Sequence, residues 1–372
     1  MPTTDPSVAG YFKEVPFASR GGRLRKDKGK EDFVEYSIHD SLLEKIRIAF
    51  QRPITIRLLY GNTGAGKTWT MAWLWRKFDE QVIDGHKYLV IAVPRLETKH
   101  APERGMLEAL VQAVLNEHPK LIQQAASKAN ASRELKDIAA YLEDEDGRYV
   151  LTGRGASARI PRIEGLPPIS TNRAADLQMV ILVILEAAKH SGFDRVLILL
   201  DELEGPLSLH GRKTVSIFTD FLRDLYDVLE DENKLYPHTH ILVGGTTPVA
   251  EQFSPEYLNR TIDQGGVLEA LLRRVEPAFR LTPPSDREVK NIAEDRIERH
   301  RIKQAGKFIP FNEDAIALAW VKSGRNLGQF VQILQNMYDL AAEEGVDRVT
   351  TAHCLRVTGA AERGAGVGSA PA

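Results

Sequence analysis

The eight residues from Gly61 to Thr68 constrain the fold of this chain more than any other feature. Their letters, GNTGAGKT, match the pattern G-x-x-x-x-G-K-[ST] in full, and the apolar segment Ile54 to Tyr60 leads directly into them. A helical pattern follows and continues to about Asp79. A strand, a glycine-rich turn and a helix in this order form a phosphate-binding loop, because the backbone N–H groups and the positive end of the helix dipole converge on one anion.

This phosphate loop supplies the first candidate site residues. We expect Lys67 to bring a positive charge to the β- and γ-phosphates of ATP, and Thr68 to offer its hydroxyl to Mg²⁺. The remaining predicted nucleotide contacts are Gly61, Asn62, Thr63, Gly64, Ala65 and Gly66. Trp69 is included as a further contact, although the tryptophans of this helix also fit packing under a sheet.

A second candidate group follows the apolar run Arg195 to Leu200, which ends in Asp201-Glu202. A buried strand of this kind delivers both carboxylates to the sheet edge where open α/β sheets bind ligands. We expect Asp201 to hold Mg²⁺ and Glu202 to polarise the attacking water, since phosphoryl transfer needs the two tasks divided.

The pattern between about Ile54 and Leu281 alternates apolar runs with helical segments, which is typical of an α/β fold with a parallel sheet. Five strands are predicted, at Ile54 to Tyr60, Tyr88 to Val93, Arg195 to Leu200, His240 to Gly244 and Ala278 to Leu281. The crossover 103–170 is long enough to contain helices and then a Gly- and Pro-rich insertion, Gly147 to Pro168. The apolar stretch Leu177 to Ala188 is too short to cross a bilayer and is interpreted as a buried helix.

The sequence after Pro283-Pro284 is helical only, which predicts a small all-α domain over 283–358. Four helices are predicted, at Ser285 to Arg301, Asn312 to Lys322, Leu327 to Glu344 and Thr351 to about Thr358. Ser285 with Glu288 has capping-box spacing. The segment 359–372 is rich in Gly and Ala and is predicted to be a disordered tail.

Charge and cysteine content limit the classes of partner. The 49 basic and 51 acidic residues give a net charge of -2, so any nucleic-acid contact must be local. The N-terminal arm, 1–32, holds such a patch, since Arg20 to Lys30 has six positive charges and one negative. A solvated mobile arm and a DNA contact both remain open. The single cysteine, Cys354, is interpreted as a buried side chain and fits a cytoplasmic protein, and the first residues indicate no signal peptide or membrane anchor.

Taken together, the phosphate loop, the Asp-Glu strand, a later strand ending in Thr, a paired arginine and a helical domain resemble the AAA+ ATPases. The order and length are similar to their origin-recognition and transposition-regulator (STAND-like) branch, over about Ser37 to Thr358. This resemblance implies a three-layer sandwich around the five-stranded parallel sheet of 33–282, followed by a helical lid. It also implies that Thr246, or else Thr247, is the polar sensor 1 residue that contacts the γ-phosphate or the attacking water.

The arginines Arg273 and Arg274 stand where AAA+ proteins place the arginine finger, with Arg260 as a weaker alternative. An arginine finger acts on a neighbour's nucleotide, so this resemblance implies a homo-oligomer or hetero-oligomer. The sensor 2 region departs from the family, because Arg325 follows Gly324 directly and Leu327 occupies the usual arginine position. Arg325 is therefore a candidate substitute, or else the lid senses the γ-phosphate poorly.

The segment before the phosphate loop, Phe33 to Phe50, stands where the family packs adenine, so Val34 and Tyr36 are candidate base contacts; a plain core strand and helix would look the same.

Three functions follow from these observations. The leading one is an ATP-hydrolysing, Mg²⁺-dependent oligomeric switch that controls a DNA-associated machine in replication, transposition or phage defence, with a protein client and no membrane. A second is a signalling or defence ATPase that acts on a protein without binding DNA. The third is a nucleotide-locked scaffold with little turnover, which the unusual sensor 2 region favours.

Overall fold

The apolar segments of the sequence form one six-stranded sheet in the computed structural model of the chain. Its strands are β1 (Ile54–Tyr60), β2 (Val82–Ile83), β3 (His86–Val93), β4 (Arg195–Leu200), β5 (His238–Gly245) and β6 (Val275–Arg280). They lie in the order β2-β3-β4-β5-β1-β6. All neighbours pair in parallel except β2, which is antiparallel to β3. The five predicted parallel strands are confirmed, but the predicted count was wrong by one, because two residues are too few to show periodicity.

The structure describes residues 11–12, 17, 24, 26, 34–93, 114, 118, 120–142, 174–201, 222–231, 235–246, 275–301 and 306–365. The helices are α1 (Ser37–Ala49), α2 (Lys67–Phe78), α3 (Leu121–Ala126), α4 (Arg133–Leu142), α5 (Ala174–His190), α6 (Asp286–His300), α7 (Glu313–Lys322), α8 (Leu327–Glu343) and α9 (Thr351–Ala365). Residues 222–231 are also helical.

Helices cover both faces of the sheet, so this part of the chain has three layers. Along β4, Val196, Ile198 and Leu200 enter the core shared with α3, α4, α5 and residues 222–231. Leu197 and Leu199 enter the opposite core, shared with α1 and α2. A strand buried on both faces has an almost continuous apolar sequence, and RVLILL has this character.

The long crossover between β3 and β4 contributes to the first of these cores through α3, α4 and α5. Ser132, just before α4, donates from its backbone N–H and its hydroxyl to the Glu186 carboxylate on α5, at 2.8 and 2.6 Å. The predicted helices of the crossover and the buried helix at 177–188 are confirmed. Gly147 to Pro168 lies outside the described residues. No helix in the described part of the chain is both long enough and apolar enough to span a membrane.

Helices α6 to α9 form a separate core, which we call the lid core. Its largest fully buried side chains are Trp320, Phe17, Phe311 and Phe330, and Cys354 is buried there as predicted. The last helix continues to Ala365, so the predicted end near Thr358, and with it a disordered tail starting at Gly359, was wrong for residues 359–365. Residues 366–372 lie outside the described part.

The described positions of the N-terminal segment contact both parts of the chain. Phe12 and Phe17 are buried in the lid core, while Leu24 is buried in the core under α1 and α2. The Lys26 ammonium pairs with the buried carboxylate of Asp79 at the end of α2. Phe12, Phe17 and Leu24 are thus buried and the exposed Lys26 is paired, which the charge run alone did not reveal.

Helices α6 to α9, which we call the lid, contact the sheet domain through Glu288, in the first turn of α6. Its carboxylate accepts from the backbone N–H and hydroxyl of Ser37, at 3.1 and 2.6 Å, and from the N–H and hydroxyl of Ser285, at 2.8 and 2.7 Å. Ser285 caps α6, and the predicted capping box is confirmed. These hydrogen bonds lower the pKa of Glu288 from its ordinary 4.5 to about 2.

We expect Glu288 to make folding stability pH-dependent. Because the pKa is depressed in the folded state, its contribution is complete above about pH 4.5 and is lost as the pH falls toward 2. The side chain is largely exposed, so the contribution should be below about 1 kcal/mol. Urea unfolding at pH 6 and pH 3 should show a smaller loss of stability in Glu288→Gln than in the wild type. Glu298→Gln, at an exposed position of the same helix, is the control, and equal losses in all three proteins would contradict the prediction.

Candidate nucleotide-binding site

The phosphate loop begins where β1 ends, and its backbone conformation depends on glycine. Gly64 and Gly66 have φ angles of 82° and 90°, in the left-handed region that favours glycine. The Ala65 N–H donates to the Asn62 carbonyl at 3.0 Å and closes the turn. Gly66 is the N-cap of α2, so the first N–H groups of this helix have no partner within the helix and point out of its N-terminus toward an anion site.

The Lys67 ammonium lies over this loop. It donates to the carbonyl oxygens of Gly61 and Asn62, at 3.0 and 3.3 Å. Thr68 is half-buried in the first turn of the same helix. The loop therefore presents one positive charge, one hydroxyl and several N–H groups within a single turn, and this donor set fits a di- or triphosphate.

The other predicted residues lie at the same edge of the sheet. Asp201 directly follows β4 and is 1% exposed, and Thr246 directly follows β5 and is half-buried. Because β5 pairs with both β1 and β4 in parallel, Thr246 lies between the start of the phosphate loop and Asp201. Neighbouring strands are about 4.8 Å apart, so β1 and β4 are about 10 Å apart, a span that one nucleotide phosphate chain with a metal ion can bridge.

A close approach between β4 and β5 fixes the carboxylate of Asp201. A Cβ atom on Gly244 would lie 3.1 Å from Asp201 Oδ1 and 2.8 Å from Met71 Cε. The Asp201 N–H also donates to the Val93 carbonyl at 3.0 Å, which ties the residue to β3. Glycine at position 244 thus leaves the space that Asp201 occupies.

The described residues fit a metal ion that is held partly by the nucleotide. Within these residues no three His, Cys, Asp or Glu side chains come together as a metal site. Mg²⁺ usually binds through one or two protein oxygens plus phosphates and water, and the Thr68 hydroxyl and Asp201 carboxylate are suitable oxygens. Glu202, Thr247, Arg260, Arg273 and Arg274 lie outside the described residues, so their roles stay predictions.

The segment before α1 joins the helix of the phosphate loop to the start of the lid. The Tyr36 hydroxyl donates to the Thr282 carbonyl at 3.4 Å, and its N–H donates to His39 Nδ1 at 3.2 Å. His39 Nε2 is 3.2 Å from the Thr70 hydroxyl on α2. Burial lowers the pKa of His39 to about 4, so the ring is neutral at pH 7, and since Nδ1 accepts, Nε2 carries the proton. Val34 and Tyr36 are both half-buried, and their contact with a base stays a prediction.

Two candidate site residues, Trp69 beside the phosphate loop and Arg325 within the lid, both contact residues of the lid. The guanidinium of Arg296, on α6, lies 5.1 Å from the centre of the Trp69 ring. Arg325 is 64% exposed at its side chain and lies 3.6 Å from the Asp286 carboxylate, within the lid itself. In this structure Trp69 is thus a lid contact and Arg325 an ion-pair partner, and no described contact brings either to the phosphate loop.

The sequence analysis missed the residues that do contact the phosphate loop from the lid. At the start of α8, the Asn326 side-chain amide donates to the Thr63 carbonyl, and the Gly328 N–H donates to the Gly64 carbonyl at 2.9 Å. Asparagine before an apolar helical pattern is an N-cap signal and could have located the start of the helix. Nothing in the sequence pairs that helix start with a loop more than 260 residues earlier.

No protein-family model and no curated protein matches this sequence. The fold is similar to that of the Aeropyrum pernix ORC2 protein in its ADPNP and ADP complexes, with 14% identity over 94% of this chain and 72% of that chain and a TM-score of 0.53. Drosophila ORC bound to DNA has 14% identity over 91% of this chain and 66% of that chain, but its TM-score of 0.44 is too low to support an argument. At this identity the likeness shows only that the chain has a fold similar to that of this ORC2 protein, and membership of the AAA+ family stays a prediction. The transposition-regulator and STAND-like detail stays a prediction.

We expect Gly244→Ala to disturb the site through Asp201. The flexible end of Met71 can move away from the added methyl group, whereas the buried Asp201 carboxylate must shift. Overpacking of this kind should lower the free energy of unfolding by about 1–3 kcal/mol and weaken Mg²⁺-dependent nucleotide binding. Thermal unfolding and calorimetric titration measure the two effects. Gly359→Ala, where the new methyl meets open space on α9, is the control; unchanged binding in Gly244→Ala would contradict the prediction.

Proposed function

We propose that this protein is an AAA+ ATPase that hydrolyses ATP with Mg²⁺ and acts as an oligomeric, nucleotide-dependent switch. The observation that carries the proposal is the placement of Lys67, Thr68, Asp201 and Thr246 at one carboxyl edge of a parallel sheet. The similar fold of a protein solved with ADPNP and ADP supports a nucleotide as the ligand. One cation and two oxygen ligands suit the phosphates of a nucleoside triphosphate with Mg²⁺, and the AAA+ resemblance makes ATP the proposed one.

Each residue has a distinct task in the proposed reaction. Lys67 moves from its own loop carbonyls to the β- and γ-phosphate oxygens, and the loop N–H groups orient the phosphate chain. Bound Mg²⁺, held by Thr68 and Asp201, would neutralise charge on those phosphates. Glu202, next to Asp201 in the sequence, polarises the attacking water, and Thr246 orients that water or the γ-phosphate.

Completion of the site requires a second subunit in this proposal. Arg273 or Arg274, with Arg260 as the alternative, would reach the nucleotide of a neighbouring subunit and stabilise charge in the transition state. The assembly would act in the cytoplasm on a DNA-associated machine through a protein client, with DNA held by a local basic patch. These steps rest on the AAA+ resemblance, since the three arginines lie outside the described residues.

One observation favours a different outcome, a nucleotide-locked scaffold with low turnover. Leu327 occupies the position where the family carries the sensor 2 arginine, and Arg325 pairs with Asp286. The lid of a single subunit would then add no positive charge to the phosphates. Measured turnover of the isolated protein and of its assembly separates this outcome from the leading proposal.

Substitution of the two central residues should separate binding from hydrolysis. Lys67→Ala removes the cation at the phosphates, so nucleotide affinity should fall at least tenfold and ATPase activity should be lost. Glu202→Gln leaves the cation and the metal ligands in place, so ATP should still bind while turnover falls about 100-fold or more. Calorimetric titration and phosphate release measure the two properties. Wild-type activity in both variants would rule out the proposed site.

The same assay tests the arginines when subunits are mixed. If the finger acts in trans, a Glu202→Gln subunit that retains Arg273 and Arg274 should restore activity to a subunit in which both arginines are alanine. Turnover per subunit should also rise with protein concentration. Full activity of the double alanine variant alone would contradict a role for this pair.

DNA binding should depend on the basic arm and weaken with salt. Since Leu24 is buried and Lys26 pairs with Asp79, the informative variant replaces only the remaining basic residues with Gln; these are Arg20, Arg23, Arg25, Lys28 and Lys30. Each phosphate contact that is lost should reduce the slope of log affinity against log salt by about 0.9. Fluorescence anisotropy with duplex DNA and ATP measures the slope, and Lys26→Gln is the control. Absence of binding at low salt would favour an ATPase that acts on a protein alone.

A further inference from the structure

The side chain of Asn326 makes two different hydrogen bonds at the start of α8. Its Oδ1 accepts from the Gln329 N–H at 3.0 Å, which caps the helix. Its Nδ2 donates to the Thr63 carbonyl in the phosphate loop. Two residues later the Gly328 N–H donates to the Gly64 carbonyl at 2.9 Å. The first turn of this lid helix therefore holds two consecutive carbonyl groups of the loop.

The backbones approach closely here, and a side chain at either glycine would press on its neighbour across the contact. A Cβ atom on Gly64 would lie 2.3 Å from Asn326 Oδ1, and one on Gly328 would lie 3.0 Å from Gly64 Cα. The side chain of Leu327 lies beside them, with Cδ2 3.8 Å from where a Cβ atom on Gly66 would be. Gly64 also has a φ angle of 82°, which favours glycine, whereas Gly328 has no positive φ angle and its glycine is explained by this contact.

The geometry of the peptide bond gives the contact a consequence for the phosphates. A trans peptide unit is planar, and its C=O and the following N–H point in opposite directions. When Asn326 holds the Thr63 carbonyl toward the lid, the Gly64 N–H must point away from the lid and into the loop. A hydrogen bond to a carbonyl on the outside of the loop thus orients a donor on the inside, where a phosphate would bind.

We propose that Asn326, supported by the neighbouring Gly328 N–H, forms a positioning pair that orients the Gly64 amide of the phosphate loop and so replaces the missing lid arginine by a contact with the loop instead of the nucleotide. This inference rests on the proposed nucleotide site and deepens it. An arginine that contacts the γ-phosphate distinguishes ATP from ADP. A pair that acts on the loop itself supports the phosphates common to both nucleotides, and therefore affects ATP and ADP equally.

The test compares Asn326→Ser with Asn326→Ala. Serine is a good N-cap and keeps an acceptor for the Gln329 N–H, but it is too short to reach Thr63 and has no amide donor. Alanine loses both functions. Because one ordinary hydrogen bond changes an equilibrium constant by about 2- to 12-fold, Asn326→Ser should raise the Kd of both ADP and a non-hydrolysable ATP analogue by about 3- to 10-fold. Calorimetric titration gives both constants, and thermal unfolding should show Asn326→Ser close to the wild type and Asn326→Ala lower.

Asn336→Ser is the matched control. Asn336 lies on the exposed side of the same helix and accepts a hydrogen bond from Gln332 at 2.9 Å, so the substitution is identical but distant from the loop. Its nucleotide constants should equal those of the wild type. Gly328→Ala is a second variant with the opposite effect on the helix, since alanine favours helix formation while its methyl pushes against Gly64. It should weaken ADP binding without lowering the thermal stability of the lid.

Two results would overturn the proposal. If Asn326→Ser binds ADP as the wild type does and only Asn326→Ala is impaired, the residue is a cap and nothing more. If only the ATP analogue is affected, the lid senses the γ-phosphate. If neither the wild type nor Lys67→Ala binds nucleotide, the proposed function fails. The contact of Asn326 with the loop is then tested separately, by hydrogen exchange of residues 61–66 in the nucleotide-free protein. Faster exchange in Asn326→Ser than in Asn336→Ser supports it, and equal exchange overturns it.

Discussion

The parallel pairing of β1 on both sides is the constraint on which the rest of the structure depends. β1 is hydrogen-bonded to β5 along its whole length and to β6 on the other edge. Because parallel strands all end at the same edge, this pairing brings the phosphate loop, Thr246 and the start of the lid together. The Leu281 N–H donates to the Tyr60 carbonyl at 2.7 Å, so the chain leaves the sheet for the lid right beside the first residue of the loop. Slippage of β1 against β5 would separate Lys67 from Asp201.

The lid is held by a few small contacts and not by a shared hydrophobic core. In the described part of the chain, the lid core and the core beneath α1 and α2 have no residue in common. The described contacts between the two parts include the hydrogen bonds of Glu288 to Ser37, the guanidinium of Arg296 over the Trp69 ring and the hydrogen bonds of Asn326 and Gly328 to the loop. Each is worth about 1 kcal/mol. A lid held in this way can change position when one contact is lost, which a packed apolar interface would resist.

Features that depend on residues close together in the sequence could be predicted, whereas contacts between distant parts of the chain could not. The strand over 195–200 and the loop over 61–68 were predictable because continuous apolar residues and glycine spacing act locally. The end of α9 was misjudged because the Gly and Ala content of 359–372 was interpreted as unable to order, although alanine is the strongest helix former. Phe12 and Phe17 were overlooked because two isolated aromatic residues show no period, although the lid core buries both. The Asn326 contact with Thr63 depends on tertiary packing alone, so a single sequence cannot reveal it.

Because position 327 is a leucine, positive charge near the phosphates must come from residues other than a lid arginine at that position. Phosphoryl transfer gathers negative charge on the γ-phosphate oxygens, and AAA+ proteins usually oppose it with cations from the loop, the lid and a neighbouring subunit. Here the described contacts of the lid with the loop are made by an amide and a backbone N–H, both neutral, and Arg325, the candidate substitute for the lid arginine, pairs with Asp286. Within one subunit Lys67 then remains the main described cation at the phosphates. In the ATPase that we propose, hydrolysis would therefore depend more strongly on an arginine from a neighbouring subunit, and assembly and turnover would be more tightly linked than in a protein whose lid carries its own arginine.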